Sequence, residues 1–213
     1  LSIEFTPPSV GSFSAVLEIT HDGNNGPVTT LDLVGEGTVE LSTTAIRINV
    51  GGPQVVSADA STPDWGEDTA ANPSPYRVTN GGADIYNGSS GNAHPGSIVM
   101  THPSLSTVPY APATIFNTER RDRTSNPEMG WEFDNIPVGA EIVVRLYFAE
   151  LFSGVDLVGE RIFDVEIEGV VPAVFDDIDA IAVAGPKGAF MLEYQVIVTD
   201  GTLDIDFLHG VAN

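Results

Sequence analysis

Short runs in which apolar and polar residues alternate restrict the fold of this chain more than any other feature. A period of two places alternate side chains on opposite faces of a β-strand, so each run predicts a strand with one apolar face. Gly, Pro and Asn-Gly pairs bound these runs, as is typical of short strands joined by turns. The runs cover residues 14–20, 30–34, 45–50, 141–149, 161–168, 190–199 and 202–207.

This alternation is typical of antiparallel sheets that bury one face and expose the other to water. No segment keeps a helical apolar period over three turns. Many short strands separated by turn signals favour two packed sheets. We therefore predict an all-β protein with a jelly-roll β-sandwich.

The charge of the chain limits the classes of partner that it can bind. The sequence has 30 acidic and 8 basic residues, a formal charge of −22 at pH 7, and Lys187 is its single lysine. This excludes nucleic acid and anionic membrane surfaces, because both are bound through cationic side chains. No apolar run reaches the roughly 18 residues of a membrane helix, so no membrane insertion is expected. Because 42% of residues are hydrophobic, we expect a packed core, with the carboxylates at outward strand positions.

Two regions lack the strand pattern. Residues 35–44 are small and polar, which suits a domain junction, and residues 59–128 are rich in Pro, Gly, Ser and Asn. So long a loop-rich stretch is usually functional. The chain has no cysteine, which excludes disulfides and a thiol nucleophile. It begins at Leu1 without a leader-like segment, so we expect a piece of a longer, processed protein.

Catalysis is not expected. A glycosidase needs two carboxyl groups at a set separation, one with a raised pKa, and the best candidates are Glu119, Glu150 and Asp164. The sequence shows neither property for them. It also lacks a nucleophile elbow, a phosphate loop and a dinucleotide-binding motif.

No cofactor is expected, although calcium is an alternative at one turn. Asp176, Asp177 and Asp179 supply carboxylates within four residues, and calcium prefers oxygen ligands. The Gly and the closing Glu of an EF-hand loop are missing. Solvated surface carboxylates, or caps on backbone N–H groups, are the favoured interpretation.

From residue 46 to residue 203 the order of motifs resembles the malectin-type carbohydrate-binding module, particularly its bacterial and archaeal form. The resemblance implies a jelly-roll sandwich related to galactose-binding-like domains, and ligand binding without catalysis. The matching segments are 46–52, 65–68, 115–120, 127–133, 137–139, 144–150, 159–165, 175–179 and 198–203.

The resemblance also implies sugar-binding positions. Animal malectin holds a glucose disaccharide with four aromatic residues and an acidic one. Tyr76 matches the first aromatic, Arg121 stands where the second is expected, and Phe152 and Ser153 occupy the third and fourth. The acidic residue has no match before Asn213. Arg121 would suit the hydroxyls or the carboxylate of a sugar, or is a solvated charge.

Further residues of the loop region complete the candidate site. Trp65 is a spare aromatic residue that either rebuilds the site or packs in the core, and Tyr86 and Tyr110 are others. Glu119 and Arg120 are expected to form an ion pair that fixes the loops, with direct sugar contact as the alternative. Arg145 and Arg161 are scarce cations among many carboxylates, so each is expected to pair with an Asp or Glu.

The first 40 residues resemble the end of an immunoglobulin-like domain of the abnormal-spindle/hydin type. The matching segments are 5–7, 11–22 and 31–37. They supply two or three of about seven strands, so their edges need another partner. We therefore predict a partial Ig-like segment at 1–40 and a malectin-like domain at 41–213 that lacks its last strand.

These observations favour a non-catalytic carbohydrate-binding module in a larger, multidomain extracellular or cell-surface protein of a prokaryote. The predicted partners are an oligosaccharide or glycan and other domains of the same polypeptide. The alternative is a structural or adhesion module of the same fold that has lost sugar recognition. Its support is the substitution by Arg121 and Ser153 at two aromatic positions.

Overall fold

The computed structural model describes residues 11–20, 28–37, 45–57, 62–78, 83–87, 98–106, 111–122 and 127–211. The chain divides into two compact units, Leu1–Thr43 and Thr44–Asn213. The predicted all-β class is confirmed, because the described elements are strands apart from a few helices of one turn. None of the described helices is long and apolar enough to cross a membrane.

The first unit contains an antiparallel hairpin of strands β1 (Gly11–Thr20) and β2 (Val28–Gly37). The register pairs Leu17 with Leu31 and so brings apolar residues of both strands to one face. Leu31 is nevertheless 53% exposed. A two-stranded hairpin is at best marginally stable by itself. The Ig-like character of this segment stays a prediction.

The second unit carries the remaining strands in three pairs and one triplet. A single α-helix is described in it, α1 (Ala180–Ala184), together with one-turn 3-10 helices at Pro103–Ser106 and Ala113–Asn117. The strands are β3 (Ile48–Val50), β4 (Gly66–Asp68), β5 (Ala83–Asn87), β6 (Thr118–Asp122), β7 (Met129–Phe133), β8 (Glu141–Ala149), β9 (Ile162–Ile167), β10 (Ala189–Ile197) and β11 (Leu203–Val211).

Two antiparallel sheets enclose the main core. One pairs β10 with β8, and the other has the order β7-β11-β9. The residues that alternation assigned to the inner face pack between them, with Val165, Phe190 and Val198 fully buried. The expected one-sided burial of the long strands is therefore observed, and it follows from the period of two.

A smaller core covers the other face of β8. Trp65, Ile115, Phe116 and Ala189 form it. Tyr147, on the face of β8 that alternation assigns to solvent, meets Trp65 edge-on with the ring centroids 5.3 Å apart. Burial in this cluster raises the pKa of Tyr147 above its ordinary value, against the opposing effect of Arg145.

A tight turn after β3 joins the loop region to the sandwich. β3 and β4 pair in parallel, an exception to the predicted antiparallel arrangement. Gly51 has a φ of +74°, and a Cβ there would lie 2.2 Å from the carbonyl oxygen of Glu119. At Gly52 a Cβ would lie 2.3 Å from Nδ2 of Asn49. Only glycine fits where the backbone of β6 approaches so closely.

We predict that Gly51→Ala strongly destabilises the second unit. A positive φ alone costs an alanine roughly 1–2 kcal/mol. The clash with Glu119 should add at least about 2 kcal/mol, because a packed backbone has little room to relax. Gly139→Ala is the matched control, since Gly139 has a φ of +86° and nothing within 4 Å of a Cβ. Urea unfolding of both variants measures the difference, and equal losses would contradict this account.

The outer face of the β7-β11-β9 sheet places carboxylates opposite one another. Asp206 pairs in register with Glu166, and Asp204 with Glu132. Burial, followed by repulsion from Glu166 and further carboxylates, raises the pKa of Asp206. Burial and repulsion from neighbouring aspartates likewise raise the pKa of Asp204. Like charges directly across a sheet are destabilising, so this face costs stability at neutral pH.

We predict that Asp206→Asn stabilises the protein at pH 7. The pKa of Asp206 is higher folded than unfolded, so the folded state binds this proton more tightly and loses stability as the pH rises through that pKa. The gain should shrink below the usual pKa of an aspartate and with added NaCl. Asp156→Asn, at an exposed carboxylate of a loop, should leave stability unchanged. Urea unfolding at pH 7, in low and in molar salt, measures the stability of both variants. Equal stabilities of the two variants would contradict this prediction.

Candidate functional site

Asp68 and Arg120 form a buried ion pair that ties the loop region together. Nε of Arg120 lies 2.5 Å from Oδ2 of Asp68 and Nη2 lies 2.5 Å from Oδ1, and the side chains are 1% and 0% exposed. The backbone N–H groups of Gly51 and Ser74 also donate to this carboxylate, at 3.0 and 2.8 Å. One carboxylate thus joins the turn after β3, the segment after β4 and strand β6.

Asn49 extends this polar cluster, and Thr118 completes it. The side chain of Asn49 is 1% exposed and donates to the carbonyl oxygen of Pro53 at 2.7 Å. The hydroxyl of Thr118 donates to the carbonyl oxygen of Val50 at 2.9 Å. The motif 46–52 therefore acts here as a structural junction. The ion pair predicted for Arg120 was with Glu119, whereas the buried pair that the structure shows is with Asp68, which was not among the predicted site residues.

Phe152 is the site candidate whose ring reaches solvent. Its side chain is 45% exposed, in the loop that follows β8. The ring lies over Gly154, where a Cβ would be 2.5 Å from Cε1 of Phe152. Cζ of Arg161 lies 6.0 Å from the ring centroid. An exposed aromatic face with a polar neighbour is the basic element of a sugar-binding surface.

Glu150 fixes the backbone of Phe152 and the neighbouring Arg161. Its carboxylate accepts the backbone N–H of Phe152 at 2.8 Å and pairs with Nη1 of Arg161 at 2.5 Å. The side chain of Glu150 is only 5% exposed. The predicted pairing of Arg161 with a carboxylate is confirmed, as is that of Arg145, which meets Glu193 at 2.6 Å. The position of Glu150, considered for catalysis, is explained by this supporting role.

Further carboxylates fix the loop that carries Phe152. Oε2 of Glu160 accepts the N–H groups of Asp156 and Leu157, both at 2.9 Å. Oδ2 of Asp179 accepts the N–H of Gly159 at 2.6 Å. The loop thus has a defined conformation, although Leu157 is 63% exposed. A surface that is already ordered loses little entropy when a ligand binds.

Two other aromatic candidates pack inside. Trp65 is 4% exposed in the smaller core, with Cζ of Arg47 5.3 Å from its ring centroid. Tyr76 is half-buried and stacks on Phe133, with ring centroids 4.8 Å apart. The ring contact of Tyr76 is thus with Phe133, and the described neighbour of the Phe152 ring is Arg161. The structure does not bring the rings of Tyr76 and Phe152 into contact with each other.

The remaining candidates lie in or near β6. Glu119 is half-buried and Arg121 belongs to the same strand, opposite Asp84 of β5. The side chains of Arg121 and Tyr86 fall outside the described part of the chain, as does the whole of Tyr110. Their part in sugar binding stays a prediction.

The predicted acidic turn divides into two roles. Oδ1 of Asp179 accepts the N–H of Ala182 at 3.0 Å and caps α1, which is one of the two roles that the sequence favoured for this turn. Asp176 and Asp177 are joined by Asp164 of β9, with carboxylate oxygens within 4.8 Å of one another. Asp164 also accepts the N–H of Asp177 at 2.7 Å. Calcium binding by these groups stays the less favoured alternative to solvated carboxylates.

Comparison with known proteins bears on family and fold. A family model of the malectin domain matches residues 44–212. No curated protein matches the sequence. The fold resembles the ANXUR2 extracellular domain from Arabidopsis thaliana (TM-score 0.61, 18% identity, covering 78% of this chain and 43% of that one). It also resembles the ANXUR1 extracellular domain of the same plant, with a TM-score of 0.60 and 20% identity, covering 76% of this chain and 42% of that one. The plant receptor-like kinase FER is similar too, with a TM-score of 0.60 and 22% identity, covering 85% of this chain and 50% of that one.

These likenesses confirm the predicted β-sandwich, and at such identities they show the fold alone. This chain covers half or less of each of these three plant chains. The whole-protein partners of those receptors therefore do not carry over to this chain.

We predict that Asp68→Asn costs about 3–5 kcal/mol of stability, because it leaves the buried guanidinium of Arg120 without a counter-charge. Glu193→Gln is the control, since Glu193 and Arg145 form an ion pair of similar length that is 46% and 39% exposed. That change should cost at most about 1 kcal/mol. Denaturant unfolding of both variants measures the contrast, and a loss below about 1 kcal/mol for Asp68→Asn would contradict the structural role.

Proposed function

Since this chain belongs to the malectin-domain family, we propose that it is a non-catalytic carbohydrate-binding module of a larger, multidomain extracellular protein. Malectin domains are binding modules, and the plant structures of similar fold include extracellular domains. The single observation that carries the proposal is the exposed ring of Phe152, whose backbone N–H is bonded to the buried carboxylate of Glu150. It stands at a position that the family resemblance assigns to sugar contact.

The geometry around Phe152 explains how a sugar ring would be held. The apolar face of a pyranose stacks on an aromatic ring, and nearby polar groups bond its hydroxyls. Arg161 is the polar neighbour, and its side chain is 29% exposed. Its charge is offset by Glu150 at 2.5 Å. Three carboxylates lie close in the sequence, at Asp156, Glu160 and Asp164, and the chain has a net charge of −22. Because this charge repels anions, a neutral saccharide is the preferred ligand.

The wider context is part of the same proposal. The sequence motifs fit a bacterial or archaeal source and an Ig-like spacer at 1–40. They also fit other domains of the same polypeptide as partners. The competing function is that of a structural or adhesion module without sugar recognition. One structure of similar fold contains FER in complex with the peptide RALF23 and LLG2, so a peptide is a further class of ligand to test.

The test is calorimetric titration with neutral disaccharides, namely maltose, cellobiose, laminaribiose and N,N′-diacetylchitobiose, beside digalacturonic acid. We expect at least one neutral disaccharide to bind, and Phe152→Ala to weaken it about tenfold or more through the loss of stacking. Val170→Ala truncates an apolar side chain that is more accessible than Phe152, 60% against 45% exposed, and should leave affinity unchanged. Absence of binding to the whole panel would overturn sugar recognition and favour the structural module.

A further inference from the structure

The turn after β8 carries the ring of Phe152 on a backbone that is held on both sides. The N–H of Phe152 donates to the buried carboxylate of Glu150 at 2.8 Å, and its carbonyl oxygen accepts the N–H of Val155 at 3.1 Å. Val155 is 7% exposed, so its side chain anchors the end of the turn. Ser153 and Gly154 are the two central residues of this turn, whose backbone therefore has little freedom to shift.

The ring of Phe152 occupies the space that a side chain at position 154 would need. A Cβ on Gly154 would lie 2.5 Å from Cε1, 2.8 Å from Cζ and 3.3 Å from Cδ1 of this ring. Carbon atoms that are not bonded to each other pack best at about 3.5–4.0 Å, so a methyl group and the ring cannot share this space. The ring therefore lies directly on the backbone of Gly154.

The backbone conformation of Gly154 does not itself require glycine. Its φ lies outside the left-handed region, so alanine can adopt the same conformation. The atoms nearest to a Cβ there are ring carbons of Phe152, at the free end of a side chain that can rotate. At Gly51, by contrast, the nearest atom is the backbone carbonyl oxygen of Glu119. A methyl group at position 154 would therefore displace the ring and leave the turn intact.

We propose that Gly154 is a positioning residue for saccharide binding, because it lets the ring of Phe152 lie on the turn beside Arg161. A stacked pyranose needs the aromatic ring in one position, so that its hydroxyls also reach the polar neighbour. Cζ of Arg161 lies 6.0 Å from the centroid of the ring as it rests on Gly154. A displaced ring changes this separation and loses the joint contact. The inference rests on the saccharide binding proposed above and adds a residue that acts through Phe152.

Titration calorimetry of Gly154→Ala tests this role, with the disaccharide of the panel that binds the unaltered protein most tightly. We expect the affinity to fall about three- to tenfold, toward that of Phe152→Ala, because stacking is lost. The midpoint of urea unfolding should stay unchanged or rise slightly, because alanine restricts the unfolded chain more than glycine does. Gly139→Ala is the control, since it adds the same methyl group before the other end of β8, with nothing within 4 Å, and should leave affinity unchanged.

A double-mutant cycle separates an effect through the ring from a direct effect on the ligand. In the Phe152→Ala background the added methyl group has no ring to displace, so Gly154→Ala should change the affinity less than about twofold there. An equal fold-loss in both backgrounds would overturn the positioning role. An unchanged affinity of the single variant Gly154→Ala, or an equal loss in Gly139→Ala, would overturn it as well.

Proton NMR of the protein without ligand checks where the ring lies. The ring current of Phe152 should shift the α-protons of Gly154 upfield in the unaltered protein, and Phe152→Ala should return them to ordinary values. Absence of this shift would overturn the contact and the role built on it. Binding that is indifferent to Gly154→Ala would overturn the positioning role alone, whereas failure of the whole panel to bind would overturn the proposed function together with it.

Discussion

The buried ion pair between Asp68 and Arg120 is the interaction on which the arrangement of the second unit depends. Its carboxylate receives the guanidinium and two backbone N–H groups, from Gly51 and Ser74, and is fully buried. Removing two ions from water is costly, so such a pair is tolerated only where every oxygen is bonded. The loop-rich part of the chain is thereby fixed to the sandwich by polar contacts as well as by the smaller apolar core of Trp65, Ile115 and Phe116.

Carboxylates have two opposite effects in this acidic protein. Asp68, Glu150 and Asp179 are buried and bind backbone N–H groups or guanidinium groups, which orders turns and the loop of Phe152. On the outer sheet face, Asp206 and Glu166 oppose each other and weaken the fold at neutral pH. The same residue type thus stabilises loops where donors are near and destabilises a sheet where carboxylates face one another. The negative surface that results favours neutral ligands over anionic ones.

Alternation predicted the strands well because burial of one sheet face depends only on neighbouring residues. The predicted limits of β8, 141–149, agree with the structure, and those of β9 and β10 differ by one or two residues. Strand β3 lies within the predicted run 45–50, whereas the three residues of β4 are too few to show a period. The sequence also could not show whether Trp65 packs inside or faces a ligand, since an indole suits both environments.

Contacts of the site between residues far apart in the sequence were harder to predict than the strands. Arg145 and Arg161 were expected to find carboxylates, yet which carboxylate each one meets follows from strand register. Asp68 and Arg120 are 52 residues apart and meet only after the loops are in place. The hydroxyl of Ser104 lies 2.8 Å from Nδ1 of His102 and accepts the N–H of Met191, which lies much further along the chain. No local spacing reveals such contacts.

Native-state amide hydrogen exchange tests most directly whether the Asp68 carboxylate anchors the loop region. The N–H groups of Gly51 and Ser74 both donate to it, although they lie in a turn and a loop. We predict that both amides exchange only through global unfolding, with protection that falls together with denaturant as for the core strands β8 and β10. Exchange of these two amides through local opening, far faster than that of the core strands, would contradict this account.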